Sequence, residues 1–89
     1  MMTNEKQSMV RSLQRGLQLM NAVGEQGPVH AKQLARHTDV PLATVYHLLR
    51  TLLHDRYVVR LEDGSYVLGP ALRAAGRGGT RFAVTATDA

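Results

Sequence analysis

Short and polar side chains recur on one side of the segment 42–55, at the spacing of a helix. With about 100° per residue, they share the face opposite to an apolar face centred on Val45. An arginine on such a face can pair with O6 and N7 of guanine, and hydroxyl groups can reach other base edges or phosphates. The side chains that we predict on this face or at its edges to read bases are Ala43, Thr44, Tyr46, His47 and Arg50.

The start of the same segment adds backbone donors. Leu42 and Ala43 would lie at the helix N-terminus, where free amides and the positive end of the helix dipole favour contact with DNA. We therefore predict Leu42 as a sixth contact. Plainer interpretations exist, since exposed arginine and histidine are commonly only solvated, and the ring of Tyr46 could pack against the first helix.

The segment 31–50 predicts the motif that would present this face. Leu34, Val40 and Val45 stand where two helices that cross steeply must bury apolar side chains against each other. Asp39 falls in the turn between them, where the backbone often needs a left-handed conformation that Asp tolerates. This pattern is typical of a helix-turn-helix, whose second helix enters the major groove.

The surrounding pattern predicts a mainly α fold with a small β-hairpin, a winged helix-turn-helix of three helices plus a wing. Helices are expected over 9–24 and 31–38 and from 42 to about 55. Two β-rich runs around Asp63-Gly64 predict a wing over 57–69, followed by a helical turn from Pro70. We expect a disordered N-terminus at 1–8, the DNA-binding domain at 9–75, and at 76–89 a flexible tail or a short strand near Phe82.

The ends of the predicted helices rest on few signals. Ser8 could cap the first helix, and Gly24, Gly27 and Pro28 would end it. Gly16 within this helix would reflect close approach by another helix, or nothing. His30 is a poor cap for the second helix, but Gln33 could accept its backbone amide as half of a capping box.

Charge is concentrated on the motif. The net charge is +4 and the pI about 10.1, and the segment 31–61 alone, with five basic and two acidic residues, carries +3. A basic face is what affinity for DNA phosphates requires. The acidic tip Glu62-Asp63 argues against deep insertion of the wing. The residues predicted to contact phosphate are Arg11, Arg15, Lys32, Thr51, Arg60 and Tyr66; for Arg11 and Arg15, simple solvation is an equal alternative.

Other chemistries find little support. There is no cysteine, so disulfides and thiolate metal sites are excluded. His47 and His54 would lie about 10 Å apart along a helix, too far to share an ion. We therefore expect no metal, no cofactor and no enzyme activity. The sequence shows neither a signal peptide nor a membrane-length apolar run, and we expect a cytoplasmic protein.

The segments RSLQRGLQLM, LARHTDVPLATVYHLLRTL and GSYVLGPAL together resemble the N-terminal winged helix-turn-helix domain of IclR-type bacterial transcriptional regulators, over about residues 9–75. The resemblance implies the same six base-contacting positions, and binding of palindromic operators as dimers. This chain departs from the family at Asp39, where Gly is favoured, at His30, where Ser or Thr is favoured, and at His47, where Arg is frequent.

Members of the family normally have a ligand-sensing domain after the winged helix-turn-helix. In this chain the corresponding segment, 76–89, is only a short glycine-rich tail, so we expect no small-molecule effector domain in it. A homodimer could form through the first helix, with Met9, Leu13, Leu19 and Met20. The sequence thus favours a sequence-specific double-stranded DNA-binding transcriptional regulator. The alternatives are a winged-helix protein–protein interaction module, whose recognition face should instead be apolar, and a fragment with weak, nonspecific DNA affinity.

Overall fold

The computed structural model describes residues 9–76. The expectations for residues 1–8 and for the tail beyond Gly76, including a strand near Phe82, lie outside the described residues. The elements in chain order are helix α1 (Arg11–Gln26), helix α2 (Ala31–Thr38), helix α3 (Leu42–His54), strand β1 (Val58–Arg60), strand β2 (Tyr66–Leu68) and helix α4 (Pro70–Gly76).

Helix α1 is displaced by two residues from its predicted bounds. It begins at Arg11 with Val10 as its N-cap, not after Ser8. Gly24 does not end it, because glycine lowers helix propensity by only about 1 kcal/mol and keeps its amide. The helix stops at Gly27, whose amide donates to the Val23 carbonyl at 2.8 Å before the chain turns into Pro28. A Cβ at Gly16 would meet nothing within 4 Å, so no helix within residues 9–76 approaches closely there.

Only part of the apolar surface of α1 is buried. Leu19, Ala22 and Val23 are buried, whereas Leu13 and Leu17 are 60% and 53% exposed. The helix packs on α2 and α3 through the cluster 19/22/23, which leaves the rest of its apolar stripe open. The expectation that Leu19 belongs to a dimer interface is wrong, because that side chain lies entirely in the core.

The turn between α2 and α3 confirms the helix-turn-helix prediction. Asp39 is left-handed, with φ 59° and ψ 35°, and the Val40 amide donates to the Ala35 carbonyl at 3.2 Å. Thr38 occupies a position of the helix-turn-helix that is more usually apolar. Its hydroxyl is paired, because Oγ1 donates to the Leu34 carbonyl at 2.7 Å. Val40 is buried beside the crossing, together with residues of both helices.

The wing is a two-stranded antiparallel hairpin, as predicted. Val58 pairs with Leu68 and Arg60 with Tyr66, and the connecting turn contains Gly64 at φ +88°, a conformation that glycine adopts readily. Val29, just before α2, forms an isolated bridge to Tyr66 through hydrogen bonds of 2.8 and 3.1 Å. The tip end of strand β2 is therefore attached to the segment that leads into α2.

The chain after the wing forms α4, which begins at the predicted Pro70 and runs to Gly76. Gly69 precedes it at a close approach, where a Cβ would collide with the carbonyl oxygen of Arg56. The predicted fold class, a mainly helical winged helix-turn-helix, is confirmed.

Candidate nucleic-acid interface

Helix α3 separates a buried face from a polar, exposed one. Val45 and Leu49 are buried, with Leu48, Leu52 and Leu53 partly buried against the same core. Three predicted base-contacting residues are exposed on the opposite side, namely Ala43, His47 and Arg50. Helical spacing places Arg50 near the centre of this exposed face.

The N-terminus of α3 offers backbone donors. The Val45 amide makes the first hydrogen bond of the helix, to the Pro41 carbonyl at 2.9 Å. The amides of Leu42, Ala43 and Thr44 therefore precede the hydrogen-bonded turns, as in any helix start. The Leu42 side chain packs against the core and Thr44 is half-buried. A contact from Leu42 would consequently come from its backbone and not from its side chain.

A depression whose lining includes charged side chains, here called the wing cleft, lies on one edge of α3. It has a volume of about 430 Å³ and is lined by residues of the α2 start, α3 and the hairpin: His30, Ala31, Lys32, Tyr46, Arg60, Asp63, Gly64 and Tyr66. The structure thus brings together Lys32 and Arg60, two residues predicted to contact phosphate, although 28 positions separate them in sequence.

Tyr46 and Tyr66 occupy the wing cleft differently. Tyr46 is 48% exposed and faces the wing, so the alternative in which its ring packs against the first helix is not what the structure shows. Tyr66 is only 5% exposed and belongs to the core. This burial runs against the prediction that Tyr66 contacts phosphate, because an inward-facing position on a paired strand leaves little of the ring at the surface.

The acidic tip of the wing is internally bonded. The Asp63 carboxylate accepts hydrogen bonds from the Ser65 hydroxyl at 2.6 Å and from the Ser65 amide at 2.9 Å. These bonds, the hydroxyl first, hold the pKa of Asp63 below its ordinary value. Asp63 therefore stabilises the turn that the Asp63-Gly64 pair predicted, in addition to carrying the negative charge of the tip.

His30 is the residue of the wing cleft that sequence reasoning missed. Its Nε2–H donates to the Asp63 carbonyl at 3.2 Å, which fixes the tautomer because a carbonyl only accepts. Its backbone amide donates to Gln33 Oε1 at 3.0 Å, as the half capping box predicted. No local signal could have shown the contact with Asp63, since it joins residues 33 positions apart.

The opposite edge of α3 faces a second depression, here called the apolar groove, with a volume of about 650 Å³. Its apolar walls come from α1, α3 and α4 and consist of Leu13, Leu17, Met20, Leu48, Leu52 and Leu72. His47, a predicted base contact, and Thr51, a predicted phosphate contact, line the α3 side of this groove. The two edges of α3 therefore differ sharply in chemistry.

Arg11 and Arg15 lie elsewhere. They share a polar face of α1 with Gln14 and Gln18, and they line neither the wing cleft nor the apolar groove. Among residues 9–76, no three His, Asp or Glu side chains are placed to hold a metal ion. Within the same range, no helix is long and apolar enough to cross a membrane.

Two packed helices joined by a tight turn, a three-helix core and a hairpin after the second motif helix define a winged helix-turn-helix protein. The family model described as the IclR helix-turn-helix domain matches residues 12–62. The chain belongs to the IclR helix-turn-helix family, a class of DNA-binding transcription regulators and not of enzymes. No curated protein matches the sequence.

Solved structures agree with this assignment. An IclR family transcriptional regulator from Brucella abortus has a TM-score of 0.76 and 22% identity, with 94% of this chain and 34% of that chain covered. HmgR from Pseudomonas aeruginosa has a TM-score of 0.66 and 30% identity, with 74% and 28% covered. The repressor BlcR of Agobacterium tumefaciens has a TM-score of 0.68 and 25% identity, with 89% and 33% covered. The chain thus spans about a third of the length of these proteins.

Proposed function

We propose that this chain binds double-stranded DNA sequence-specifically as the reading part of a transcriptional regulator. Residues 9–75 form the DNA-binding unit, α3 lies in the major groove, and the wing lies near the backbone. The base-contacting set is Leu42, Ala43, Thr44, Tyr46, His47 and Arg50. The proposal places the protein in the cytoplasm, with the DNA that it regulates.

The polar face of α3 is the observation that carries this proposal. Arg50 is exposed at the middle of that face and free to pair with guanine, while the small Ala43 lets the helix approach the bases closely. A protein-interaction module would need an apolar patch at this position. The apolar surface instead lies at one edge of α3, in the apolar groove.

Phosphate contacts would fix the register of α3 without choosing the sequence. Lys32 and Arg60 support this role because they flank the wing cleft beside Tyr46. Thr51 on α3, and Arg11 and Arg15 on α1, remain proposed contacts at the periphery. Tyr66 is left out of the proposed set because of its burial.

A second copy of this chain is the proposed partner on the first helix. The exposed Leu13 and Leu17 continue into Leu72, which is 40% exposed, so that α1 and α4 present one apolar surface. Burying such a surface against its own copy gives a twofold dimer. A twofold dimer of helix-turn-helix domains reads a palindromic operator, with half-sites about one helical turn apart.

Selection from a library of random duplexes, at moderate salt and with the purified chain, tests the function directly. We expect enrichment of an inverted repeat. Enrichment of a single half-site would retain sequence-specific reading and remove the dimer. Without any enriched motif, the sequence-specific reader is excluded, and the protein-interaction module or the nonspecific fragment takes its place.

A further inference from the structure

The apolar groove is open in the described part of the chain, although leucines form its walls. Leu13 and Leu17 of α1 and Leu72 of α4 are all exposed there. Clustered apolar side chains of this kind mark a surface that another group covers. The second copy proposed above can cover them only when two chains meet, whereas a segment of the same chain is present at any concentration.

The chain leaves the described fold beside this groove. Leu72 forms one of the groove walls, and α4 ends at Gly76, about 6 Å further along the helix axis. Two consecutive glycines, Gly78 and Gly79, follow and allow the backbone to reverse its direction. The six residue steps from Gly76 to Phe82 span up to about 20 Å when extended. Phe82 is therefore within reach of Leu72.

The segment 81–84, with the sequence RFAV, has the chemistry that the groove requires. Phe82 is the only phenylalanine of the chain and its first large apolar side chain after Leu72. In an extended segment Val84 lies on the same side as Phe82, because side chains alternate. A groove of about 650 Å³ has room for both side chains, since pockets of roughly 300–1,000 Å³ hold whole drug-sized ligands.

The charges of the groove and of the segment are complementary. Asp55 is the only acidic residue that lines the groove, and its lining contains neither Lys nor Arg. The Asp55 carboxylate is exposed, and its hydrogen-bond partner within residues 9–76 is the neighbouring His54 ring, at 3.0 Å. Arg81 directly precedes Phe82, so its guanidinium can reach this carboxylate. An exposed ion pair adds little affinity, but it would set the direction of the segment in the groove.

Attachment to the same chain favours the segment over any separate partner. A short flexible linker holds it at an effective concentration of about 1 mM, far above that of a second copy in dilute solution. We propose that residues 81–84 occupy the apolar groove of their own chain. The Phe82 ring lies between Leu17 of α1 and Leu72 of α4, and a second copy must displace it, so the segment limits dimerisation. This competition rests on the dimer proposed above, whereas the occupancy does not.

NMR of the full chain at low concentration tests the occupancy without DNA and without a dimer. The ring signals of Phe82 are unambiguous, because the chain has one phenylalanine. We expect nuclear Overhauser effects between this ring and the methyl groups of Leu17 and Leu72, undiminished when labelled chains are diluted with an excess of unlabelled ones. Effects that fade on this dilution would place the ring in a second copy, and their absence would leave the groove empty. Either result overturns the proposal.

Variants of the segment identify the side chain responsible. Phe82→Ser removes the ring, and we expect the methyl signals of Leu17 and Leu72 to lose the ring-current shifts that they show in the wild type. Thr87→Ser, a conservative change outside the segment 81–84, is the control and should leave these signals unchanged. Methyl signals that are the same in the wild type and in Phe82→Ser would overturn the occupancy.

Sedimentation over a concentration series tests the competition. If the segment is bound for about two-thirds of the time, both grooves of a twofold dimer are free in only about one pair in nine, so removing the segment should tighten dimerisation about ninefold. We expect this gain for Phe82→Ser and little change for Phe82→Leu, which keeps an apolar side chain. A Phe82→Ser protein that dimerises no more tightly than the wild type would overturn the competition.

These outcomes differ from those that would remove the proposed function. A chain that selects no DNA motif excludes the sequence-specific reader, and a chain that forms no dimer in any variant excludes the second copy together with the competition. In both cases the contacts between the Phe82 ring and the groove methyl groups still decide the occupancy.

Discussion

The two edges of α3 are built for different surroundings. On one edge, Tyr46 borders the wing cleft, where Lys32 and Arg60 meet a polar hairpin. On the other edge, Leu48 and Leu52 line the apolar groove. The exposed face that carries Arg50 lies between them, so one helix separates the wing cleft from the apolar groove.

The difference arises from what packs on each edge. The wing approaches as a short strand, of which Val58, next to α3, is buried while Val59 and Arg60 are exposed. Helix α1 approaches as a helix with more apolar positions than its packing face requires, and Leu13 and Leu17 are left over at the surface. The wing also leaves apolar side chains such as Val59 and Leu68 at the surface, but those of α1 line one groove that a partner could cover.

Truncating a buried side chain that supports both edges of α3 should have the largest effect, and this effect is on the free energy of unfolding. Leu49 is buried under α3 between the wing cleft and the apolar groove. We expect Leu49→Ala to lower the free energy of unfolding by about 2–5 kcal/mol through lost burial and a residual cavity. Denaturant unfolding measures this loss. Leu61→Ala, at an exposed position of the wing, is the control and should change stability by no more than about 0.5 kcal/mol.

The face between the two edges should decide sequence preference. We expect Arg50→Ala to weaken binding to the selected operator by about 1–3 kcal/mol, the contribution of one bidentate contact with guanine. Titrations against operator and random duplex, with His54→Ala as the control, measure it. An equal loss on both duplexes would assign Arg50 to the backbone and move base reading to other residues.

The apolar edge should respond in assembly and not in folding. A charge at the exposed Leu17 meets solvent in the monomer, so Leu17→Glu should change the unfolding free energy by no more than about 0.5 kcal/mol. In the proposed dimer that charge is buried, and we expect dimerisation to weaken at least tenfold, which is about 1.4 kcal/mol. Sedimentation of both proteins over a concentration series measures the change. If wild type and variant are monomeric alike, the partner of the apolar groove is not a second copy.

The polar edge should respond in salt dependence. If Lys32 and Arg60 each neutralise one phosphate, each alanine variant should reduce the slope of log K against log salt by about 0.9. The reduction should be equal on operator and random duplexes, because phosphate contacts carry no sequence information. Arg73→Ala removes an exposed cation of α4, outside the wing cleft, and should leave the slope unchanged.

Local patterns were sufficient to predict the motif and the exposed face of α3. The left-handed turn at Asp39, the helix start after Pro41 and the buried Val45 and Leu49 all follow from spacing within twenty residues. The hairpin followed from the Asp63-Gly64 turn between two β-rich runs. These features depend on the chain's neighbours in sequence, and periodicity reports such neighbours well.

Features that depend on distant partners were missed. The sequence analysis assigned Leu13 and Leu19 to one possible interface, and only the positions of α2 and α3 decide that Leu19 faces inward while Leu13 does not. The burial of Tyr66 and the bond from His30 to the wing tip both depend on the pairing of Val29 with β2. The apolar periodicity of a single segment cannot predict that pairing, because Val29 and Tyr66 lie far apart in the sequence.

Asp39, in the turn between α2 and α3, lines neither the wing cleft nor the apolar groove. A substitution there should therefore change the stability of the domain without altering either edge of α3. At φ 59°, an ordinary L-residue is strained by about 1–2 kcal/mol, which Asp reduces and glycine avoids. Glycine also loses more chain entropy on folding, by about 0.5–1 kcal/mol. We therefore expect Asp39→Gly to stabilise the domain by less than about 1 kcal/mol, and Asp39→Ala to destabilise it. Thermal unfolding of the pair measures the difference, and an alanine variant as stable as the glycine variant would contradict a strained left-handed turn.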